Sequence, residues 1–265
     1  VRKICMQCRV SGALTEDQAD KIADAIDAAG LKPVNRGRKA GDWEIGELLD
    51  EGPGWQDFEG TRPRLGARRR IRVYLVGAAT TREEEQRLQR EAEREVRLLE
   101  GLHHDGIAAV TDLVRADRGP AVLLDRVLGE EPLDRWAAEH LTELDLLQRV
   151  ELIRQLGEAL AHAHSRRVTH RALTPRSVLV RPPRVPGALP QLVIGHWQSG
   201  SRELATRLTR AEVTPTSLGG DLAERLAAAE QVYLAPEAYS AEDPDPMALD
   251  VFSLGSLAYL LLAFF

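Results

Sequence analysis

Side chains able to do chemistry are few in this chain and unevenly placed. Cys5 and Cys8 are its only cysteines, and their spacing puts two thiolates on one turn, where both could face a zinc ion. A structural zinc site needs two more ligands, and the nearest histidine is His103. Either residues upstream complete such a site or the thiols are incidental. Arg72 and Tyr74 stand two residues apart in the alternating run Arg70-Ile-Arg-Val-Tyr-Leu-Val76, so one strand face carries a guanidinium and a phenol. Glu95 lies within a long charged helical stretch, and Arg72 is a candidate partner for its carboxylate. His196, in Gly195-His-Trp-Gln198, is an imidazole suited to a transition metal rather than to magnesium. With no partner ligand identifiable, it reads equally as a packed or solvent-facing histidine.

The elements that must position these groups are legible from periodicity. Residues 1–42 stand apart. Thr15-Glu-Asp-Gln18 is a capping box, and Ala19, Ile22, Ala23, Ile26 and Ala29 follow at helical spacing until Gly30. A basic linker then runs from Lys32 to Gly41, so a second unit spans 43–265. Trp43 to Phe58 reads as two strands about Gly52-Pro-Gly54, and residues 70–76 as a third. Thr81 to Leu102 is a long amphipathic helix. Val110 to Arg115 and Ala121 to Leu124 form a strand pair about Asp117-Arg-Gly-Pro120. Leu133 and Trp136 open a helix, and Leu144 to His164 carries Leu152, Leu156 and Leu160 along one core-facing stripe. Gln191 to Ile194 is a strand, and residues 199–232 are a polar segment with a helical stretch at Leu222 to Ala229.

Composition excludes several classes. With 265 residues, 43% hydrophobic and 29% charged, the chain is an ordinary folded protein rather than a disordered tail. A net charge of −6 gives no support for general nucleic-acid or anionic-membrane binding. The apolar run Ser253 to Phe265 is short for a membrane span, and the cysteine usage suits a reducing cytoplasm.

Val168-Thr-His-Arg-Ala-Leu-Thr-Pro-Arg-Ser-Val-Leu-Val180 resembles the catalytic loop of eukaryotic-type serine/threonine protein kinases, His-Arg-Asp-Leu-Lys-Pro-x-Asn followed by an apolar strand. Other stretches resemble the same family in the same order. These are a glycine-rich loop at 49–55, a strand where a lysine would hold phosphates, and a helix glutamate at Glu95 leading to His104. A hinge follows near Asp125 to Gly129, then a magnesium-type turn at 196–198, Ala235-Pro-Glu237, and Asp250-Val-Phe-Ser-Leu-Gly255. The resemblance implies an α+β, bilobal fold: a small β-rich N-lobe over 43–125 and a helical C-lobe over 126–265 that looks truncated at its C-terminal end. The segment at 199–232 would be its activation segment. Asp250 would anchor the loop at 168–180.

The same comparison shows what is missing. The catalytic aspartate is Ala172, the loop lysine is Thr174, the metal-binding asparagine is Ser177, and the metal-binding aspartate is His196. Tyr74 stands at the position of the phosphate-holding lysine. Arg72 stands in the adenine pocket, Asp50 replaces one loop glycine and Trp55 another. Gly52 survives, though a plain hairpin explains it as well. What remains of a nucleotide pocket would comprise Gly52, Arg72, Tyr74, Glu95, Asp125, Val127 and Leu179. Phosphoryl transfer rests on positioning and electrostatics, so the expectation is a pseudokinase with no required cofactor, holding ATP without magnesium if any nucleotide enters.

Its expected role is that of a regulatory scaffold for a protein partner, an active kinase or effector, in the same polypeptide or a separate one. The wording of residues 41–60 and 169–180 also resembles the large kinase proteins of bacterial phage-defence systems of the phage growth limitation or BREX type. An arginine-rich chain without lysine after Lys39 suits a bacterial source. An unconventional active kinase or ATP-binding protein, using Asp50, Glu95 or Arg72, is the alternative. A zinc-stabilised module built on Cys5 and Cys8 is a second one.

Overall fold

A computed structural model describes residues 38–52, 54–62, 65–76, 81–202, 230–240 and 244–263. Cys5, Cys8, the helix expected from Thr15 and most of the segment 199–232 lie outside the described residues. Within the unit Lys39–Phe265 the architecture is mixed α+β, an antiparallel sheet followed by helices.

Six strands close into a barrel in the order β1-β2-β3-β4-β6-β5. They are β1 (Lys39–Ala40), β2 (Trp43–Gly52), β3 (Trp55–Arg62), β4 (Ala67–Tyr74), β5 (Val110–Ala116) and β6 (Gly119–Leu124). The sheet starts earlier than the expected boundary at residue 42. Ala40 is buried between Trp43 and Ala116, pairing with both, so β1 joins β2 to β5 and closes the barrel. A two-residue strand with one apolar residue has no periodicity to announce it, which is why it reads as linker.

The stretch Arg70–Tyr74 of β4 is buried on both faces, as are Asp57 and Phe58 opposite it on β3. Phe58, Ile71 and Val73 join Trp43, Ala121 and Leu123 in a core inside the barrel. Alternation then sends Asp57, Arg70, Arg72 and Tyr74 to the opposite face, where the rest of the fold covers them.

Helix α1 (Arg82–Leu99) starts at a capping box in which Thr81 Oγ1 accepts from Glu84 N at 3.2 Å and Glu84 Oε2 accepts from Thr81 N at 2.9 Å. Its buried face is Leu88, Ala92, Glu95, Leu98 and Leu99, spaced three or four apart, so Glu95 sits in an otherwise apolar stripe.

Beyond β6 come β7 (Glu131–Pro132), α2 (Leu133–His140), α3 (Leu146–Ser165), β8 (Val168–Thr169), β9 (Val178–Arg181), β10 (Gln191–Ile194), β11 (Ser201–Arg202), α4 (Glu237–Ser240) and α5 (Pro246–Ala263). Leu152, Leu156, Ala159 and Leu160 of α3, Leu257 and Leu261 of α5, Ile194 of β10 and Trp197 form one core that reaches up to Tyr74 and Leu98. Among the described residues α5 alone is long and apolar enough to cross a membrane. Leu249, Asp250, Ser253, Leu257 and Leu261 on it are nevertheless buried in the fold.

Candidate functional site

The site is built where the face of β3 and β4 opposite the barrel core meets α1 and the turn after β10. In the β3–β4 register Asp57 lies opposite Arg72, and both side chains are 0% exposed. Arg72 Nε donates to Asp57 Oδ1 at 2.8 Å and Nη2 to Oδ2 at 2.8 Å, a parallel pair of charge-assisted bonds. Arg72 Nη1 donates to Glu95 Oε1 at 3.0 Å, so the pairing expected from strand-face geometry is present. The same Nη1 contacts Gln198 Oε1, from the turn at 197–199. Tyr74 completes the group by donating its hydroxyl to Glu95 Oε2 at 2.7 Å.

Burying charge costs several kcal/mol per ion unless partners compensate it, and here each charge is matched. Burial alone would raise the Asp57 carboxyl, but Arg72 and Arg70 outweigh it and hold the group well below the carboxylate range. Arg72 is pushed the other way, its proton held by Asp57 and Glu95 despite burial. Glu95 is raised by burial, against Arg72 and the Tyr74 hydroxyl. Burial, then the Glu95 charge, carries the Tyr74 phenol well above its ordinary value.

Trp55 covers this network. Its ring lies 4.5 Å from the Arg72 guanidinium and meets the His196 ring edge-on at 5.0 Å. Gly52, paired with Trp55 where the β2–β3 hairpin turns, is required there. A Cβ on it would stand 2.6 Å from the indole, so Gly52 supports the tryptophan rather than leaving an open phosphate cradle.

The hairpin tip is tied to the loop at 168–180. Arg176 Nε donates to Asp50 Oδ1 at 2.9 Å, Nη2 contacts the same oxygen, and Nη2 donates to the Glu51 carbonyl at 2.5 Å. His196 Nε2 lies 3.5 Å from Asp50 Oδ2 and 3.8 Å from Asp57 Oδ2. Burial, then the Arg72 charge, pushes its imidazole well below the ordinary histidine value, so it is neutral near pH 7. His196 also has a left-handed backbone at φ 55°.

At the other end of the same face, Arg70 bridges Asp57 at 3.2 Å and Glu130 at 3.0 Å. Arg181 joins Glu130 at 2.8 Å and Asp125 at 2.7 Å. Asp125 also accepts from Ala109 N at 2.7 Å. Val127, expected in the pocket, is 40% exposed, and Leu179 packs with Ala108 and Val193 in a separate small cluster.

The loop at 168–180 is fully braced. Asp250, 0% exposed, accepts from the backbone N–H of His170 at 2.8 Å and of Arg171 at 2.6 Å, and its Oδ2 lies 2.9 Å from His164 Nε2. His170 Nε2 is 2.8 Å from the Gly195 carbonyl, and burial pushes its imidazole below the ordinary value. Ala172 is buried. Thr174 and Ser177 face each other: Thr174 N donates to Ser177 Oγ at 2.9 Å, and Ser177 Oγ donates to the Thr174 carbonyl at 2.8 Å. Thr174 Oγ1 donates to Glu230 at 3.2 Å. The Ser177 hydroxyl therefore serves the loop's own geometry, and the Thr174 hydroxyl ties the loop to Glu230.

Asp57, Arg70, Glu130, Arg176 and Arg181 are site residues missed in the sequence, and Gln198 was read only as part of the turn at 196–198. Asp57 alone had a usable signal, an acid inside Trp55-Gln-Asp-Phe58 at a position of the period that faces the cleft. Among the described residues no group of three or more His, Cys, Asp or Glu is placed to hold a metal ion.

The residues present do not fit magnesium-bound ATP. Phosphates need unpaired cations and open backbone N–H groups. Here the cations Arg70 and Arg72 are neutralised by Asp57, Glu95 and Glu130, and Trp55 lies over Arg72. Asp50 and Glu51 occupy the hairpin tip. Magnesium wants oxygen ligands in an octahedron, whereas His196 is an imidazole and Ser177 is engaged within its loop.

Residues 58–186 match the family described as protein tyrosine and serine/threonine kinase. The chain is 33% identical over 260 residues to the probable kinase PglW of Streptomyces coelicolor, covering 91% of this chain and 16% of that protein. It is 27% identical over 224 residues to the serine/threonine-protein kinase PknA of Mycobacterium tuberculosis, covering 83% of this chain and 46% of that one. A calcium/calmodulin-dependent protein kinase type 1 of Macrobrachium nipponense is 29% identical over 171 residues, 64% of this chain and 43% of the relative. The chain thus spans less than half the length of each of these relatives. On these matches, and on the order in which its strands, helix, braced loop and Asp250 follow one another, the chain belongs to the protein-kinase family.

Proposed function

We propose that this chain is a catalytically inactive, bilobal protein-kinase-like module that serves as a regulatory or interaction scaffold within a larger bacterial protein. The family implies ATP binding, and the observation that carries the proposal is what stands in that place. Arg72 is buried there, bound by Asp57 and Glu95 under the ring of Trp55. A positioned general base is worth about 10²–10⁴-fold, and Ala172 offers none. What survives is bracing: Asp250 holds the loop backbone, and Thr174 and Ser177 close it on itself. The partner on this reading is a protein, an active kinase or effector. The likeness to the probable kinase PglW favours a phage-defence setting.

The rival reading is an active serine/threonine kinase, favoured by the names of the relatives alone. Thermal denaturation with ATP, with and without magnesium, separates the two, together with transfer of labelled phosphate to a generic acceptor. An inactive module shows no magnesium-dependent rise in midpoint and no transfer above a blank. Transfer that is abolished by Arg72→Ala or Glu95→Gln would establish the rival.

A further inference from the structure

The β2–β3 hairpin is fastened to distant parts of the chain at three levels. At its tip Arg176 grips the Asp50 carboxylate and the Glu51 carbonyl, 126 and 125 residues away in sequence. Midway, Trp55 lies against both Arg72 and His196. Below it, Asp57 takes two bonds from Arg72. Arg72 continues to Glu95 on α1 and to Gln198 in the turn after β10. One guanidinium thereby joins β3, β4, α1 and that turn, with Nε, Nη1 and Nη2 all engaged. Only an arginine supplies donors in a planar fork able to satisfy two carboxylates and an amide at once; an ammonium is a compact point charge.

We propose that Arg72 is a built-in ligand of the cleft which, with the Asp50–Arg176 pair, latches the hairpin shut and holds α1 in one position without any nucleotide. This deepens the reading of the chain as an inactive scaffold and rests on it: a module that presents a constant surface needs its two halves held by its own side chains. The work done by a bound nucleotide elsewhere in the family is taken over by a residue that cannot dissociate. The two ties differ in environment. The Arg72 tie is fully buried, whereas the Arg176 side chain is 33% exposed, so the tip can be released without opening the core.

Hydrogen–deuterium exchange on the whole chain tests this. In Arg176→Gln, amides of residues 48–58 should exchange about tenfold faster than in the wild type while α1 is unchanged. In Arg72→Ala, both the hairpin and α1 should lose protection, and millimolar ethylguanidinium should restore it whereas ethylammonium should not. Arg72→Lys should behave like Arg72→Ala. Should Arg72→Ala fail to fold, Arg176→Gln and Trp55→Leu still report on the hairpin. Wild-type exchange rates in Arg176→Gln and Trp55→Leu, or full protection in Arg72→Lys, would overturn the latch. Magnesium-ATP stabilising the wild type would instead defeat the inactive-module reading, and unchanged fast exchange in the apo variants would leave the latch standing.

Discussion

Asp57 and Arg72 face each other in register across β3 and β4, and two hydrogen bonds of 2.8 Å join carboxylate to guanidinium with no solvent exposure of either side chain. A buried pair of this kind gives weak net stabilisation relative to an apolar pair, but removing one partner strands the other charge. That asymmetry governs how variants of the site should behave.

Arg72→Ala or Asp57→Ala should each cost about 3–5 kcal/mol of folding stability, read from urea midpoints. Arg72→Ala and Glu95→Ala together should cost less than the sum of the two, with a coupling of about 0.5–3 kcal/mol. Strict additivity would mean that the 3.0 Å contact between Arg72 and Glu95 does nothing energetically.

Acid should destabilise the fold through two buried histidines. His170 and His196 are held below the ordinary histidine value of about 6.5. The unfolded chain therefore binds more protons than the folded one just below that pH, and stability must fall as pH is lowered. The limiting slope is about 1.4 kcal/mol per pH unit for each histidine. Glu95, raised by burial, acts with the opposite sign above its ordinary value, so the clean measurement is a difference. The pH 7 to 5 stability profile of His196→Asn should be flatter than that of the wild type, and identical slopes would clear His196 of the effect.

Asp250→Ala should cost about 2–6 kcal/mol, because the backbone N–H groups of His170 and Arg171 lose their acceptor. Arg171 adopts φ 70° at that point, so the loop has little tolerance for losing its brace. Exchange protection at 168–180 should fall first, and a variant that keeps it would place the brace elsewhere.

Gly52→Ala should destabilise by about 1–3 kcal/mol, since its methyl group would collide with Trp55. The tryptophan emission should shift as Trp55 is displaced from Arg72. An unperturbed spectrum at wild-type stability would remove Gly52 from the argument.

Restoring four of the five lost chemical positions with Tyr74→Lys, Ala172→Asp, Ser177→Asn and His196→Asp should still give no phosphoryl transfer, because Arg72, Asp57 and Trp55 remain packed together in the site. A measurable rate in the four-fold variant would show that these residues yield to a nucleotide.

Much of this was open to a reader of the chain. Periodicity announces α1, α3 and the strands, because alternation and the 3.6-residue repeat are local properties. The family's motif order and its lost chemical groups are equally visible, since Ala172, Ser177 and His196 cannot do what aspartate or asparagine would. Strand β1 was hidden because two residues carry no period. The packing of Leu179 on Ala108 and Val193 is likewise unannounced, since nothing local tells an apolar residue which neighbours it will meet.

What the residues determined alone was the kind of fold and the replacement of the family's chemical groups by Tyr74, Ala172, Thr174, Ser177 and His196. They also placed Arg72 on one strand face with Tyr74, within conceivable reach of Glu95. Only the tertiary structure decided which groups these residues meet. Asp57 meets Arg72 through the strand register, Asp50 meets Arg176 across 126 residues, and Trp55 lies on Gly52 through the closure of the hairpin. Such pairings depend on how separate elements pack, and a charge in a sequence carries no record of the partner that will neutralise it once water is excluded.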